Sequence, residues 1–324
     1  MASMKSIRML WITDPWPTLS LFNDTTLRLI QEATTMGIQT FWSASDLVLN
    51  TQSKGKLNVF PCQTPLTSSN PPNFSTGSIE MEPSAFHLIH YRVDPPVDFN
   101  YISLVDAILE RDNQARIVSP PNALKHQSEK LPPPELSQYS PRLQAIYTEK
   151  EVGSAYAKFK DDAIAVIKPL NEAQSKGVKK LTLPASGEAF ESLLRSETAN
   201  FTMPIVIEEY LPQVDQGEVR IWFACGEVVA ALKKFPKTGD FRVLIDEGSR
   251  VEAYSLSESE AEVAQAVGAV LQKQGVLLAA IDFIGGKISD YNITSPGLLV
   301  QLEEVHGGKN FARTILERLL RHLE

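Results

Sequence analysis

VLLAAIDFIGGKISDYNITSP, residues 276–296, is the stretch of sequence that most strongly constrains the fold and the chemistry of this chain. Its apolar run, Gly-Gly pair and alternating continuation predict a β-hairpin. The hairpin carries Asp282, Asp290 and Asn292, three side chains with oxygen donors. Oxygen donors suit magnesium, which proteins often hold together with the phosphates of a nucleotide. The alternative is a plain exposed hairpin with polar residues on its solvent side, because this spacing is a loose pattern.

The length of the turn decides whether these side chains share a face. A two-residue turn at Gly285-Gly286 would put Asp282 opposite Ser289, whereas a three-residue turn that includes Lys287 would put Asp282 opposite Asp290. Side chains alternate between the two faces of a strand, so all three oxygen ligands share a face only with the odd-length turn. Glycine readily supplies the left-handed residue that such a turn needs. We therefore expect a bulged three-residue turn.

The composition excludes several classes of protein. A chain of 324 residues with 43% hydrophobic residues has room for two or three domains with real cores. A formal net charge of −8 argues against a nucleic-acid partner. No apolar run reaches transmembrane length, and the first fifteen residues lack the features of a signal peptide. The two cysteines, Cys62 and Cys225, have no metal-ligand spacing. We expect a cytoplasmic enzyme with neither a nucleic-acid nor a membrane partner.

Strands and helices alternate in the first part of the chain, which favours a parallel α/β sheet. Ligands bind at the carboxyl ends of such strands, where Asp14 and Arg92 lie. A proline-rich stretch at 119–141 predicts a domain boundary. The predicted strands are 7–12, 38–42, 86–91, 117–118, 163–169, 178–183, 204–208, 219–224 and 228–233; the predicted helices are 25–35, 101–110, 186–195, one capped by Ser257 and Glu260, and one through 311–323; residues 61–84 are predicted to form a long loop.

Three other parts of the sequence are candidates for ligand binding. Lys168 ends an apolar strand, where it either reaches an anion or is a solvated surface charge. Residues 206–212 run from a strand into an extended segment, which either offers backbone groups to a purine edge or simply crosses between domains. Arg220 begins a strand as either a phosphate clamp or a salt-bridge partner. The sequence has no Ser-His-Asp or Cys-His constellation and no glycine-rich dinucleotide or P-loop signature.

Taken in order, seven segments resemble motifs of the bacterial glutathione synthetase family of ATP-grasp ligases. The resemblance runs over roughly residues 8–320, and its most specific part is the hairpin with its following Ser-Pro. The matching segments are Asp14-Pro15, RVDPPVD at 92–98, SEK at 128–130, IKPL at 167–170, YLP at 210–212, DFIG at 282–285 and DYNITSP at 290–296.

The resemblance implies an α/β (α+β) ATP-grasp protein with a Rossmann-like parallel-sheet domain at 1–122 and two ATP-grasp subdomains at 123–205 and 206–324. It implies that ATP and Mg²⁺, or Mn²⁺, activate the carboxylate of a dipeptide as an acyl phosphate, which an amino acid attacks. It also implies a homo-oligomer, a dimer or tetramer. The implied ATP-binding residues are Lys130, Lys168, Lys176, Glu208, Glu209, Tyr210, Leu211, Asp215 and Gln216; the metal ligands are Asp282, Asp290 and Asn292; the catalytic residues are Arg220 and Arg242; and the substrate contacts are Asp14, Arg92 and Lys234.

The sequence departs from the family pattern in the phosphate-binding loop. The family's D-G-M-G-G is replaced by residues 171–175, NEAQS, and Glu172 adds a negative charge that Lys176 is positioned to offset. The asparagine of the family's R-x-N becomes Leu244, and a metal-binding glutamate is shortened to Asp290. Three hypotheses follow: a ligase of the glutathione synthetase type, an ATP-grasp ligase with another substrate, and a nucleotide-binding relative with little ligase activity.

Overall fold

The computed structural model describes residues 7–15, 19, 23–49, 55–62, 77–111, 115–244 and 248–323. Its strands are β1 (Arg8–Thr13), β2 (Gln39–Ala44), β3 (Leu57–Pro61), β4 (Ile79–Met81), β5 (Leu88–Arg92), β6 (Ile117–Val118), β7 (Leu143–Ile146), β8 (Ile164–Pro169), β9 (Lys179–Thr182), β10 (Ile205–Glu209), β11 (Glu218–Ala224), β12 (Glu227–Phe235), β13 (Arg250–Tyr254), β14 (Leu278–Ile284) and β15 (Lys287–Asn292). Its helices are α1 (Thr25–Thr35), α2 (Phe99–Arg111), α3 (Pro121–His126), α4 (Val152–Phe159), α5 (Gly187–Glu197), α6 (Glu258–Gln274), α7 (Leu299–Val305) and α8 (Phe311–His322).

The first sheet has the order β4-β3-β2-β1-β5-β6, and β1 pairs in parallel with β2 and β5. The register sets Thr13 beside Arg92, so the carboxyl ends of β1 and β5 meet at one edge. Helix α1 begins at Asp24, whose carboxylate accepts the backbone N–H of Leu27, and the left-handed Gly37 follows its end. This N-cap satisfies one of the free amides at the helix start.

The predicted loop at 61–84 is wrong in its last part. Residues 79–81 form β4, which pairs antiparallel with β3, and a 3-10 helix follows at Pro83–Ala85. Residues 63–76 of the predicted loop lie outside the described residues. Strand β4 was missed because it is three residues long and mostly exposed, which is too short for its alternation of apolar and polar residues to be recognised.

Two antiparallel sheets form the rest of the chain. The central sheet has the order β7-β10-β8-β9 and packs on α4 and α5. The C-terminal sheet has the order β13-β12-β11-β14-β15. One face of it packs on α6, and the other shares a core with α1, α7 and α8. The predicted boundary at 205/206 falls inside β10, and we propose that the division between the subdomains follows this strand.

None of the helices in the described part of the chain has the length and apolar character that a membrane crossing requires.

Candidate active site

The site is a cluster of charged side chains in which the central sheet and the segment after α3 meet the C-terminal sheet. Charged groups are rarely buried unless they are paired, and here four cations lie among four carboxylates. We call this set the charge cluster; its cations are Lys130, Lys168, Arg220 and Lys234, and its carboxylates are Glu208, Glu218, Asp282 and Asp290.

Lys168, at the end of β8, links the two sheets. Its Nζ lies 2.8 Å from Glu208 Oε1 in the central sheet, and it donates to the Ser289 carbonyl at 2.9 Å and to Asp290 Oδ1 at 3.3 Å in the C-terminal sheet. Burial opposes the charge of this lysine, but Asp290 and Glu208 outweigh burial and raise its pKa. Burial raises the pKa of Glu208 in spite of Lys168. Lys168 is thus a fixed cation, held by partners from the central sheet and from the C-terminal sheet. We call the place where these two sheets meet around Lys168 the cleft.

Asp290 receives a second cation from the segment after α3. Lys130 Nζ donates to Asp290 Oδ2 at 2.8 Å, and the lysine side chain is 4% exposed whereas that of Asp290 is 21% exposed. Burial favours the neutral acid, yet Lys130 and Lys168 together lower the pKa of Asp290. Asp290 is therefore an ionised carboxylate with part of its surface open to the cleft.

The pairing of strands explains the other half of the cluster. Arg220 on β11 is directly opposite Asp282 on β14, and Glu218 is directly opposite Lys234 on β12. The guanidinium binds Asp282 in a two-pronged manner, through Nε at 2.8 Å and Nη2 at 2.6 Å. Lys234 Nζ lies 2.9 Å from Glu218 and 3.2 Å from Asp282. Burial alone would raise the pKa of Asp282, but Arg220 and Lys234 hold it below its ordinary value.

The hairpin places Asp282 opposite Asp290, as expected, but the predicted three-residue turn is wrong. Ile284 pairs with Lys287 across a two-residue turn, in which Gly285 and Gly286 have φ of 57° and 79°. A two-residue hairpin turn of the type whose twist matches the flanking strands requires positive φ at both residues.

The extra residue that brings Asp282 opposite Asp290 is Ser289, which lies in the strand and not in the turn. Phe283 pairs with Ile288, the register then shifts, and Asp282 pairs with Asp290. Ser289 is the extra residue of this β-bulge, and its Oγ donates to Glu218 at 2.8 Å.

The predicted metal ligands fit a hard cation by their chemistry. Asp282 and Asp290 are ionised oxygen donors on adjacent strands, as magnesium requires. Asn292 directs its amide nitrogen to the Ala280 carbonyl at 2.9 Å and to Asp282 Oδ2 at 3.3 Å, so its own oxygen remains as a donor. Within the described ranges no group of three or more His, Cys, Asp or Glu is arranged for a metal, so a site here would rest on two carboxylates and an amide.

Glu209, the last residue of β10, and Tyr210, which follows it, contact other parts of the chain. Glu209 accepts the backbone N–H of Arg142 at 3.1 Å and pairs with Lys287. The ring of Tyr210 meets Phe241 edge-on, with 6.4 Å between centroids, and Lys180 lies 4.7 Å above Tyr210.

The segment after Tyr210 forms a short helix just before Glu218. Leu211 is partly buried and caps a 3-10 helix at Pro212–Gln216, on which Asp215 and Gln216 are exposed. Their predicted ribose contact remains a prediction.

As predicted, Asp14 and Arg92 lie at the carboxyl ends of neighbouring parallel strands, since Arg92 pairs with Thr13, the residue before Asp14. Arg92 is buried, and it donates from Nε to Thr26 Oγ1 at 3.1 Å and from Nη2 to the Pro296 carbonyl at 2.8 Å. Asp14 Oδ2 accepts the backbone N–H of Asp94 at 2.8 Å. Arg92 therefore connects the first sheet to the loop that follows the hairpin.

Two predicted residues lie apart from the charge cluster. Arg242 is in the loop between β12 and β13 and binds Asp240 through Nη2 at 2.8 Å, which helps lower the pKa of Asp240 to about 2. Lys176 is exposed, and its ammonium forms no ion pair with the residues that the structure describes. Their roles stay predictions.

Sequence reasoning missed two carboxylates of the site. Glu129 is buried, and its Oε1 accepts from the backbone N–H of Ile293 at 2.8 Å and from the N–H and Oγ1 of Thr294 at 2.9 and 2.7 Å. It thereby anchors the end of the hairpin. Glu218 lies two residues before Arg220, and strand alternation puts the two on one face, a signal that could have identified it.

Comparisons with known proteins cover most of the chain. The family model for the prokaryotic glutathione synthetase ATP-grasp domain matches residues 129–307, and that for the N-terminal domain matches residues 7–125. The glutathione synthetase of Parasynechococcus marenigrum (strain WH8102) is 30% identical over 305 residues, 92% of this chain and 94% of the relative. That of Prochlorococcus marinus (strain MIT 9313) is 29% identical over 317 residues, 97% of this chain and 99% of the relative.

Solved structures of other enzymes share the fold. D-cycloserine synthetase DcsG superposes with a TM-score of 0.67 at 15% identity, over 98% of this chain and 100% of that one. D-alanine–D-alanine ligase from Bacillus anthracis, solved in complex with ATP, has a TM-score of 0.58 at 13% identity, over 98% of each chain. At these identities the similarity concerns the fold alone.

Proposed function

The chain belongs to the prokaryotic glutathione synthetase family, and from that membership we propose that it joins γ-glutamylcysteine to glycine with conversion of ATP to ADP and phosphate. It is an ATP-dependent ligase that forms C–N bonds. The observation that carries the proposal is the charge cluster, because its cations and carboxylates come from both sides of one cleft. The identity of both substrates and the choice of Mg²⁺ are parts of the proposal.

The chemistry proposed needs no nucleophile from the protein. ATP with Mg²⁺ supplies the phosphoryl group that activates the substrate carboxylate for attack by an amine. The protein's task is to position the reactants and neutralise their charge. We assign Lys130 and Lys168 to phosphate oxygens, because both are buried and fixed on the cleft by Asp290.

The other residues take roles according to their location. We assign Asp282, Asp290 and Asn292 to the metal, since they are the oxygen donors of the hairpin. Arg220 on β11 and Lys234 on β12 lie one and two strands beyond β14, and both are suited to the anionic reacting groups. These cations are already paired with acids, so they are held in place before the reactants arrive.

The second candidate function is an ATP-grasp ligase with a different carboxylate substrate. It is favoured by one contact in this chain: Gln174, where the family has glycine, donates to Asp94 Oδ2 at 3.3 Å beside the proposed substrate contacts. A side chain at this place alters the wall of the cleft on its carboxylate-substrate side.

Phosphate release distinguishes these candidates. The protein is incubated with ATP and Mg²⁺, first with γ-glutamylcysteine and glycine together and then with each alone. Release that requires both supports the proposed function, and a panel of other dipeptide and amino acid pairs tests the second candidate. If calorimetry detects no binding of ATP with Mg²⁺, both ligase proposals fail.

A further inference from the structure

Two residues of the loop between β8 and β9 have a backbone conformation that favours glycine, although neither of them is glycine. Gln174 and Ser175 have φ of 55° and 57°, in the left-handed region. They are the residues that occupy the fourth and fifth positions of the family's D-G-M-G-G. A Cβ makes this conformation unfavourable, and glutamine and serine are not among the residues that adopt it readily. Within the loop, the backbone N–H of Lys176 donates to the Ala173 carbonyl at 3.0 Å and closes the turn across these two residues; the loop also has contacts outside itself.

The contacts that hold the loop come from the first sheet. The Asn171 carbonyl accepts the backbone N–H of Val97 at 3.1 Å. Gln174 Nε2 donates to Asp94 Oδ2 at 3.3 Å. Both partners belong to residues 92–98. This segment starts at Arg92, which is the last residue of β5 and a proposed substrate contact. The loop is thus attached to the carboxylate-substrate side of the cleft.

The segment that carries Asp94 is itself fixed by two other parts of the molecule. The backbone N–H of Asp94 donates to Asp14 Oδ2 at 2.8 Å at the end of β1. Ser295, which follows the hairpin, donates from Oγ to the carbonyl of Arg92 at 3.3 Å, two residues before Asp94. A loop residue that binds Asp94 therefore contacts a point where the first sheet and the C-terminal subdomain already meet.

We propose, on the basis of the proposed ligase function, that Gln174 is a positioning residue that holds the 171–177 loop closed over the carboxylate substrate by binding Asp94. A glycine at this position would adopt the same backbone but would leave the loop without this attachment. Closure of the loop then depends on its contact with residues 92–98, in addition to any contact of the loop with phosphate.

The first readout needs no substrate. The amide of Val97 is protected from hydrogen exchange only while the loop is docked, because its acceptor is the Asn171 carbonyl. In Gln174→Ala and Gln174→Gly we expect exchange at Val97 to accelerate about 2- to 12-fold, the range for loss of one net hydrogen bond. Gln174→Gly should also melt at a higher temperature than Gln174→Ala, because it alone removes the left-handed Cβ.

Ala199 offers a matched control. It is exposed, lies in the same subdomain and has φ of 49°, so Ala199→Gly relieves the same kind of strain outside the cleft. We expect this variant to raise the melting temperature while exchange at Val97 stays at the wild-type rate. Unchanged exchange at Val97 in both Gln174 variants would overturn the proposal, as would an equal acceleration in Ala199→Gly.

The second readout is kinetic. In both Gln174 variants we expect the KM for the carboxylate substrate to rise about 2- to 12-fold, with a smaller change in the KM for ATP. A change confined to the KM for ATP would contradict the inference and assign Gln174 to the nucleotide. If γ-glutamylcysteine and glycine are not turned over at all, the proposed function fails, whereas the exchange at Val97 still decides the attachment of the loop.

Discussion

Replacement of Asp290 by asparagine removes the charge on which two buried lysines converge. In the wild-type protein Lys130 donates to Asp290 Oδ2 at 2.8 Å and Lys168 to Oδ1 at 3.3 Å. The variant keeps the shape of the side chain and one carbonyl acceptor. Lys168 still has Glu208 at 2.8 Å, so Lys130 bears most of the loss.

The expected costs can be worked from these contacts. A hydrogen bond to a charged group contributes about 1.5–3 kcal/mol, and breaking a buried ion pair costs about 3–5 kcal/mol. Because an acceptor is retained and Asp290 is 21% exposed, we expect Asp290→Asn to lower the free energy of unfolding by about 2–4 kcal/mol. The loss of a charged oxygen at the proposed metal site should reduce turnover on the order of 100-fold or more.

Two measurements separate these effects. Urea unfolding reports the free energy of unfolding, and phosphate release at increasing Mg²⁺ reports the metal dependence, which should shift to higher Mg²⁺ in Asp290→Asn. Asp106→Asn is the matched control, since Asp106 also pairs with a lysine, Lys125, but lies on α2, which packs on the first sheet. Wild-type metal dependence in Asp290→Asn would refute the metal assignment, and wild-type stability would refute the account of the charge cluster.

Three other predictions concern neighbouring groups. Arg220→Lys loses the two-pronged contact with Asp282, so turnover should fall about tenfold or more in the phosphate-release assay, with about 1–2 kcal/mol lost in urea unfolding; unchanged turnover would contradict the role of Arg220. Glu129→Gln weakens the anchor of Thr294 and should cost about 1–2 kcal/mol of stability, and a neutral effect would show that the carboxylate charge is dispensable. His90 is buried and neutral, because burial and Arg92 lower its pKa from 6.5 to about 3. The unfolded chain binds the extra proton, so stability is lost as the pH falls below 6.5, by roughly 2 kcal/mol between pH 7 and 5; in His90→Phe the slope of stability against pH over this range should be smaller, and an unchanged slope would refute the assignment.

The sequence predicted best the elements that carry their own local signals. Helix α1 has its predicted bounds, Thr25–Thr35, since Asp24 caps its start and Gly37 follows its end. The capping box of Ser257 and Glu260 begins α6 as predicted. Strand β7 was missed because its four residues, Leu143–Ile146, are mostly half-buried and show no alternation. Strand β13, Arg250–Tyr254, was also missed; it is short and mostly exposed, so it lacks the apolar residues of a buried strand.

The candidate site was predictable only in part from residue spacing. The resemblance to the glutathione synthetase family is confirmed, and it directed attention to Lys130 and Asp290. Their contact joins residues 160 positions apart, and no local pattern contains such information. The turn of the hairpin was predicted wrongly because the register of a strand pair can be corrected by a bulge within the strand, as Ser289 does, as well as by the turn.

The charge balance of the cluster gives a physical reason for a metal requirement. Its four cations and four carboxylates cancel, and mutual attraction holds the groups ionised in a largely buried place. A nucleoside triphosphate without divalent cations would bring a large excess of negative charge beside Asp282 and Asp290, which are ionised and cannot move far. With two divalent cations the same nucleotide is close to neutral, so under the proposed function it can enter while every charge in the cluster keeps a partner. On this proposal the carboxylates are as necessary as the lysines: we expect them to fix the lysines in place beforehand and to make entry of the nucleotide conditional on the metal.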